Sequence, residues 1–313
     1  MISIIKKEKC CGCSACCTVC PKQCIKMLED SEGFKYPKVD MSLCINCGLC
    51  EKVCPLLHPF PKRKPLKILA AINKDSSIRK KSSSGGVFFE LARFVIDKGG
   101  YVYGAGFDDK WFVSHKRTNT IEGVYELMGS KYVQSDMNET FKDVKLKLEQ
   151  NNVVLFTGTP CQIAGLNHFL TKKYNHLITL DMLCHGVPNN SIFQRFLHEM
   201  LKENKMKKSE IKNICFRKKV KNQNEYQFSI KGINGDELNT YFYNLPYMHG
   251  FLSNLILRPS CYNCKAKRGR SLSDLTIGDL WDIYDVPPFN DCGGTNVVYI
   301  HTDKGQDIIN QCN

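Results

Sequence analysis

Six cysteines stand within eleven positions in CCGCSACCTVCP, residues 10–21. Cys10, Cys13, Cys16 and Cys20 fall as C-x2-C-x2-C-x3-C, and Pro21 follows. Cys44, Cys47, Cys50 and Cys54 repeat the same intervals ahead of Pro55. This spacing holds 4Fe–4S clusters in bacterial two-cluster ferredoxins. Three thiolates on a tight loop can each reach one iron of a cube, and small residues such as Gly12, Ala15 and Gly48 let the backbone wrap closely. The fourth cysteine follows a longer step and ligates the other cluster. The pattern therefore predicts one cube on Cys10, Cys13, Cys16 and Cys54, and a second on Cys44, Cys47, Cys50 and Cys20.

Two other cysteine chemistries fit less well. Structural zinc takes two C-x2-C pairs or a mixture of Cys and His, not a repeated triplet with a spaced Cys-Pro. Disulfides need an oxidising compartment, and MISIIKKEK lacks the apolar core of a secretory signal. Cys11, Cys17 and Cys24 are left over and read as small packed hydrophobes.

Further along, three segments carry candidate chemistry. SSSGGVFFE joins a serine- and glycine-rich loop to a helix start, a geometry that suits phosphate but also serves plain capping. FTGTPCQ runs a buried strand through Thr157, Gly158 and Thr159 into a helix at Cys161, the edge where α/β sheets place ligands. Cys161 there reads as a nucleophile, a cluster ligand or a packed thiol. LDMLCHG places Cys184 in the same setting after the next strand, and CYNC gives Cys261 and Cys264 as a ligand pair with two partners still to find.

These residues need a scaffold, and the chain supplies one. Its 313 residues suggest a small and a large domain: a two-cluster ferredoxin-type domain over 1–60, a linker over 61–66 rich in Pro and basic residues, and a larger domain over 67–313. GFKYPKVD alternates like a strand between the two runs. From residue 67, strands alternate with helices. KILAAIN, NVVLFTG, LITLDML and LTIGDLW read as strands. YVYGAGFD with FVSHKRT reads as a strand pair, and YQFSIKGINGDELNTYFY as a hairpin. Ser84 to Asp97, FKDVKLKLEQ, CQIAGLNHFLTKK and SIFQRFLHEMLKEN read as helices. The fold class is α+β or α/β, with a ferredoxin-like N-terminal module before a mixed-sheet domain.

Of 18 cysteines, eleven lie before residue 55. No stretch reaches the length of a membrane span, so a cytoplasmic, reducing and anoxic setting is expected. The formal charge of +13 counts thiols as neutral. Clusters netting about −2 each would lower it to about +9 for two and about +7 for three. The basic runs KRKPLK and CKAKRGR lack the interleaved aromatics of a base-stacking surface, so no nucleic-acid partner is expected. An acidic redox protein steered by charge is one.

In order along the chain, SSGGVF, GSKYVQS, FTGTPCQIAGL, DMLCHGVP, CYNCKAK and LTIGDLW follow the two ferredoxin runs. This series resembles the coenzyme F-420 hydrogenase/dehydrogenase beta-subunit family, which includes deazaflavin-oxidising subunits and a plant reductase of hydroxymethyl chlorophyll. The resemblance implies FAD beside Fe–S clusters, with Ser84, Gly85, Gly86, Lys131, Tyr132, Thr157, Gly158 and Thr159 near the FAD. It also implies a third 4Fe–4S cluster, for which Cys161, Cys184, Cys261 and Cys264 are the candidates, with zinc as rival. His185 is then a neighbour, and Cys215, Cys292 and Cys312 remain packed thiols. Family members commonly continue past HTDKGQDIINQ, so the resemblance implies a missing C-terminal helix or a C-terminal truncation on the substrate side. The function implied is an FAD- and Fe–S-dependent oxidoreductase. It exchanges electrons with a ferredoxin or partner redox subunit and hydride with a small molecule such as reduced coenzyme F-420. A non-catalytic relay subunit is the alternative, and flavin separates the two.

Overall fold

A computed structural model describes residues 1–3, 6–220, 225–281, 283, 286–287 and 293–312; Cys292 lies outside the described residues. The two cysteine runs fold alike. α1 (Ala15–Val19) and α2 (Leu49–Lys52) each carry the third cysteine of their run, and β1 (Ile25–Glu29) pairs antiparallel with β2 (Lys35–Val39) between them. Gly12 (φ 68°) and Asn46 (φ 51°) precede the second cysteine of each run, and Ser14 (φ 64°) and Gly48 (φ 75°) follow it. Left-handed residues on both sides of one cysteine curl the loop about a single centre, as three ligands of one cube require.

The remaining elements are β3 (Lys67–Ala71), α3 (Ser76–Lys81), α4 (Val87–Asp97), β4 (Tyr101–Phe107), β5 (Val113–Thr118), α5 (Ile121–Leu127), α6 (Thr140–Glu149) and β6 (Val154–Gly158). They continue with α7 (Pro160–Leu170), β7 (Leu177–Met182), α8 (Asn190–Glu203), β8 (Ile211–Lys219), β9 (Tyr226–Gly232), β10 (Glu237–Tyr241), α9 (Pro246–Leu252), β11 (Leu275–Asp279), β12 (Asn296–Ile300) and α10 (Asp303–Gln311). Seven strands form one mixed sheet in the order β3-β12-β11-β7-β6-β4-β5. Its four central strands, β11, β7, β6 and β4, run parallel, and β12, β3 and β5 pair antiparallel at the flanks. β6 is buried at every position, as a parallel strand covered on both faces must be. A second sheet, β10-β9-β8, packs with α8 and α9 over a separate aromatic core.

Two boundaries differ from the sequence reading. α4 begins at Val87 rather than Ser84, because Gly86 sits at φ 87° and leaves the serines as a loop. α7 begins at Pro160, with Thr159 as N-cap and Gln162 closing a capping box. The cysteine module is not a separate bead. Cys11, Cys13, Ala15, Val53 and Leu56 share a core with Phe141, Ile163 and Leu166 of α6 and α7. Among the described residues no helix is long and apolar enough to cross a membrane.

Candidate iron–sulfur and cofactor sites

The cysteines gather in three sets. Cys20, Cys44, Cys47 and Cys50 line one small pocket, together with Pro21 and Gly48. Ile2 N–H donates to Cys50 Sγ at 3.2 Å, and Cys24 Sγ lies 3.4 Å from Cys20 Sγ. Cys54 belongs elsewhere. Burial pushes its thiol up, and Cys16 and Cys10 add to the effect. Cys13 in turn has Cys16 and Cys54 as neighbours. The structure thus brings Cys54 beside the first run and Cys20 beside the second, an exchange of fourth cysteines.

The third set joins distant parts of the chain. Gly158 of β6 is in register with Asp181 of β7. Cys161 and Cys184 each follow three residues later, so parallel pairing brings them to one sheet edge. Burial pushes the Cys184 thiol up, with nearby Cys161, Cys261 and Cys264 adding to the effect, and it pushes Cys261 up to about 11. Among the described residues, no three His, Cys, Asp or Glu side chains converge on a point fit for one metal ion. The corners of a four-iron cube stand farther apart than the donors of a single ion. The His185 ring packs on Phe251 at 4.9 Å. Cys11, read from sequence as a packed thiol, is buried in the same core as Cys13 and Cys161. It stands where the first set meets the third.

Beyond Cys184 opens a cavity of about 490 Å³ at the carboxyl edge of the sheet, within the usual range for ligand sites. Ser84, Gly86, Lys131, Tyr132, Thr157, Gly158 and Thr159 line it. Gly85 does not line it; its Cα packs so closely on Ala71 O and Asn296 N that a Cβ would lie 2.6 Å from each. The Lys131 ammonium faces protein, donating to the carbonyls of Glu126, Leu127 and Met128 at 2.7–3.1 Å. Burial holds its pKa down at about 7.

Sequence reasoning missed several residues of this wall. His115 Nε2 lies 2.8 Å from Thr157 O and Nδ1 lies 2.7 Å from Ser135 Oγ. A carbonyl only accepts, so Nε2 carries the proton and Nδ1 accepts from the serine. Burial holds this imidazole down at about 4. Gln162 donates to Ser135 Oγ at 3.0 Å and accepts from Thr159 N–H at 2.9 Å. The Thr-x-x-Gln spacing was a capping-box signal present in the sequence. Asp181 lines the cavity floor and accepts from Thr276 Oγ1; burial pushes its pKa up to about 6. Arg217 lines it too, paired with Asp279 at 2.6 Å.

A two-run cysteine module packed against a mixed-sheet domain, with thiols leading to a sheet-edge cavity, defines an iron–sulfur electron-transfer protein. The chain belongs to the coenzyme F420 hydrogenase/dehydrogenase beta-subunit family. Residues 151–313, more than half of it, match the model for the C terminus of that beta subunit, and residues 9–56 match a 4Fe-4S dicluster domain. It is 22% identical over 213 residues to an F(420)H(2) dehydrogenase subunit of Methanosarcina mazei, covering 64% of this chain and 60% of that protein. It is 26% identical over 212 residues to an uncharacterized protein of Methanocaldococcus jannaschii, covering 56% and 58%. The chain thus spans about 60% of the length of these curated relatives. The first domain alone is 46% identical over 55 residues to an NADH-quinone oxidoreductase subunit of Geobacter metallireducens, covering 16% and 42%. A chain of the F420-reducing NiFe hydrogenase complex of Methanosarcina barkeri shares the fold, with TM-score 0.51 and 17% identity over 79% of both chains.

Proposed function

We propose that the protein is an FAD- and iron–sulfur-dependent oxidoreductase. It moves electrons between a one-electron carrier protein and a small molecule that gives or takes hydride. Three 4Fe–4S clusters serve it: an inner one on Cys10, Cys13, Cys16 and Cys54, an outer one on Cys20, Cys44, Cys47 and Cys50, and a third on Cys161, Cys184, Cys261 and Cys264. The observation that carries this reading is the placement of Cys184 in the wall of the 490 Å³ cavity. One face of that residue belongs to the thiol set and the other to the candidate flavin site.

Bound flavin supplies the exchange between one-electron and two-electron chemistry. Ser84 Oγ donates to Thr295 O and Val87 N–H to Asn296 Oδ1, so the Ser83 hydroxyl, which lines the cavity and accepts from Ser130 N–H, is the donor left for a phosphate beside Ser84, Gly86 and the start of α4, and Thr157, Gly158, Thr159 and Tyr132 form the facing wall. His115 and Gln162 hold that wall rigid through Ser135 and the Thr157 carbonyl. Asp181, with a pKa of about 6, is the group placed to hold or release a proton when hydride chemistry changes the proton count. The name of the M. mazei relative makes a reduced deazaflavin the first donor to try.

The test is anaerobic reconstitution with iron, sulfide and FAD, followed by desalting. Retained flavin that bleaches with a reduced deazaflavin or NADH supports the reading. Iron–sulfur absorbance with no retained flavin means a pure electron relay and overturns it.

A further inference from the structure

We propose that Arg258 is the built-in counter-ion of the inner cluster and holds that cluster's potential above that of the outer one. This rests on the reading above, since Cys10 must carry a cluster.

Arg258 is 1% exposed. Its Nε donates to Cys10 O at 2.8 Å, and Nη1 to Gln134 Oε1 at 3.0 Å. Nη2 donates to Lys35 O at 2.7 Å and reaches Cys10 Sγ at 3.7 Å. Its guanidinium carbon stands 4.6 Å from the Tyr36 ring centre and 5.5 Å from that of Phe34. The contacts make Arg258 a bracket between the cysteine module and the large domain. Its acceptors are two backbone carbonyls, one amide oxygen and one sulfur; none is a carboxylate. A guanidinium so deeply buried needs a compensating charge, because its desolvation is costly. Four thiolates around a cube supply one, netting about −2 in the oxidised form.

A fixed positive charge stabilises the more negative, reduced state of a cluster and so raises its potential. Among the described residues the outer pocket has no equivalent. Of the two cations lining it, the Met1 ammonium is taken by Glu51 at 2.7 Å, and Lys22 is exposed, where water and salt screen it. With both clusters bound, an electron delivered to the outer one by a one-electron carrier protein would be drawn inward, the outer cluster losing one electron, the inner gaining one and no proton being needed. Arg258 is a positioning residue that acts on the potential.

The test is an EPR-monitored redox titration of the anaerobically loaded full chain as wild type, R258K and R258Q. The outer signal is assigned as the one lost from a C20S variant. Both Arg258 variants break the four-point bracket, but only Gln removes the charge. The inner midpoint should move to more negative potential in R258Q, stay near wild type in R258K, and leave the outer midpoint unmoved in both. Loss of the inner signal from R258Q alone supports the proposal equally. Equal shifts, equal loss or no shift in the two variants overturns it. Absence of the inner cluster from the wild type would instead overturn the cluster assignment on which it rests.

Discussion

A methyl group placed on Gly165 would stand 2.9 Å from Cys13 Sγ and 3.0 Å from Cys13 Cβ. α7 and the first cysteine loop thus meet at a separation that only glycine permits, and a proposed cluster ligand forms part of the contact. Gly165→Val overpacks this seam, at a cost of about 1–3 kcal/mol, and displaces Cys13. Iron analysis of the loaded variant should show about four irons fewer per chain, with a lowered melting temperature. Wild-type iron and melting would contradict the seam's role.

Cys161 and Cys184 sit three residues past a paired position on neighbouring parallel strands, and Cys261 and Cys264 complete their set. Fully loaded protein should hold about twelve irons per chain, and a Cys184→Ser variant about eight. Cys215→Ser, whose thiol lies on β8 beside Lys131, should keep twelve. Equal iron in the wild type and the Cys184 variant, or zinc in the third set, would refute the third cluster.

Much of this arrangement was legible because its signals are local. Cysteine spacing dictates which thiolates share a loop, and the buried runs VLFTG and LITLDM announce adjacent parallel strands, from which the meeting of Cys161 and Cys184 follows. β8 was not read as a strand, since register shifts between Ile211 and Asn213 and between Cys215 and Lys218 break its alternation. His115, Asp181 and Arg258 carry no local signature. Each is a single polar residue whose role depends on neighbours distant in sequence: Thr157 for His115, Thr276 for Asp181, and Cys10 for Arg258. The sequence pattern starts the helix at Ser84, three residues before Val87, because a Gly-Gly pair does not reveal which glycine turns left-handed.

His115 and Asp181 oppose each other in acid. His115 titrates at about 4 folded against an ordinary 6.5, so the unfolded chain holds more protons between those values. Its contribution is full above about 6.5 and is lost as pH falls to about 4. Asp181 titrates at about 6 folded against an ordinary 3.8, so the native state holds more protons there. Stability therefore drops as pH rises from 3.8 to about 6, and the deficit persists above. The two slopes largely cancel in the wild type. Asp181→Asn should uncover a gain of up to about 3 kcal/mol from pH 4 to pH 6.5, and His115→Gln a fall across the same window. Urea unfolding at three pH values measures both; profiles parallel to wild type would contradict the assignment.

Arg217 and Asp279 form an ion pair in the cavity wall, the guanidinium buried and the carboxylate partly exposed. The Arg217 side chain is 5% exposed and its Nη1 lies 2.6 Å from Asp279 Oδ2. Its guanidinium carbon stands 4.1 Å from the Tyr226 ring centre and 5.5 Å from that of Trp281, so it cannot leave for water without breaking the stack. Asp279→Asn keeps the shape but strips the counter-charge from the guanidinium, at a cost of about 2–3 kcal/mol, below that of a fully buried pair because the carboxylate is partly exposed. Arg217→Met with Asp279→Asn leaves no charge to desolvate and should recover most of that loss, because an apolar side chain of similar volume still packs between the rings. A double-mutant cycle by urea unfolding of the cluster-loaded protein reads the coupling directly. A double variant less stable than Asp279→Asn alone would show that Arg217 acts there through its packing and not through its charge.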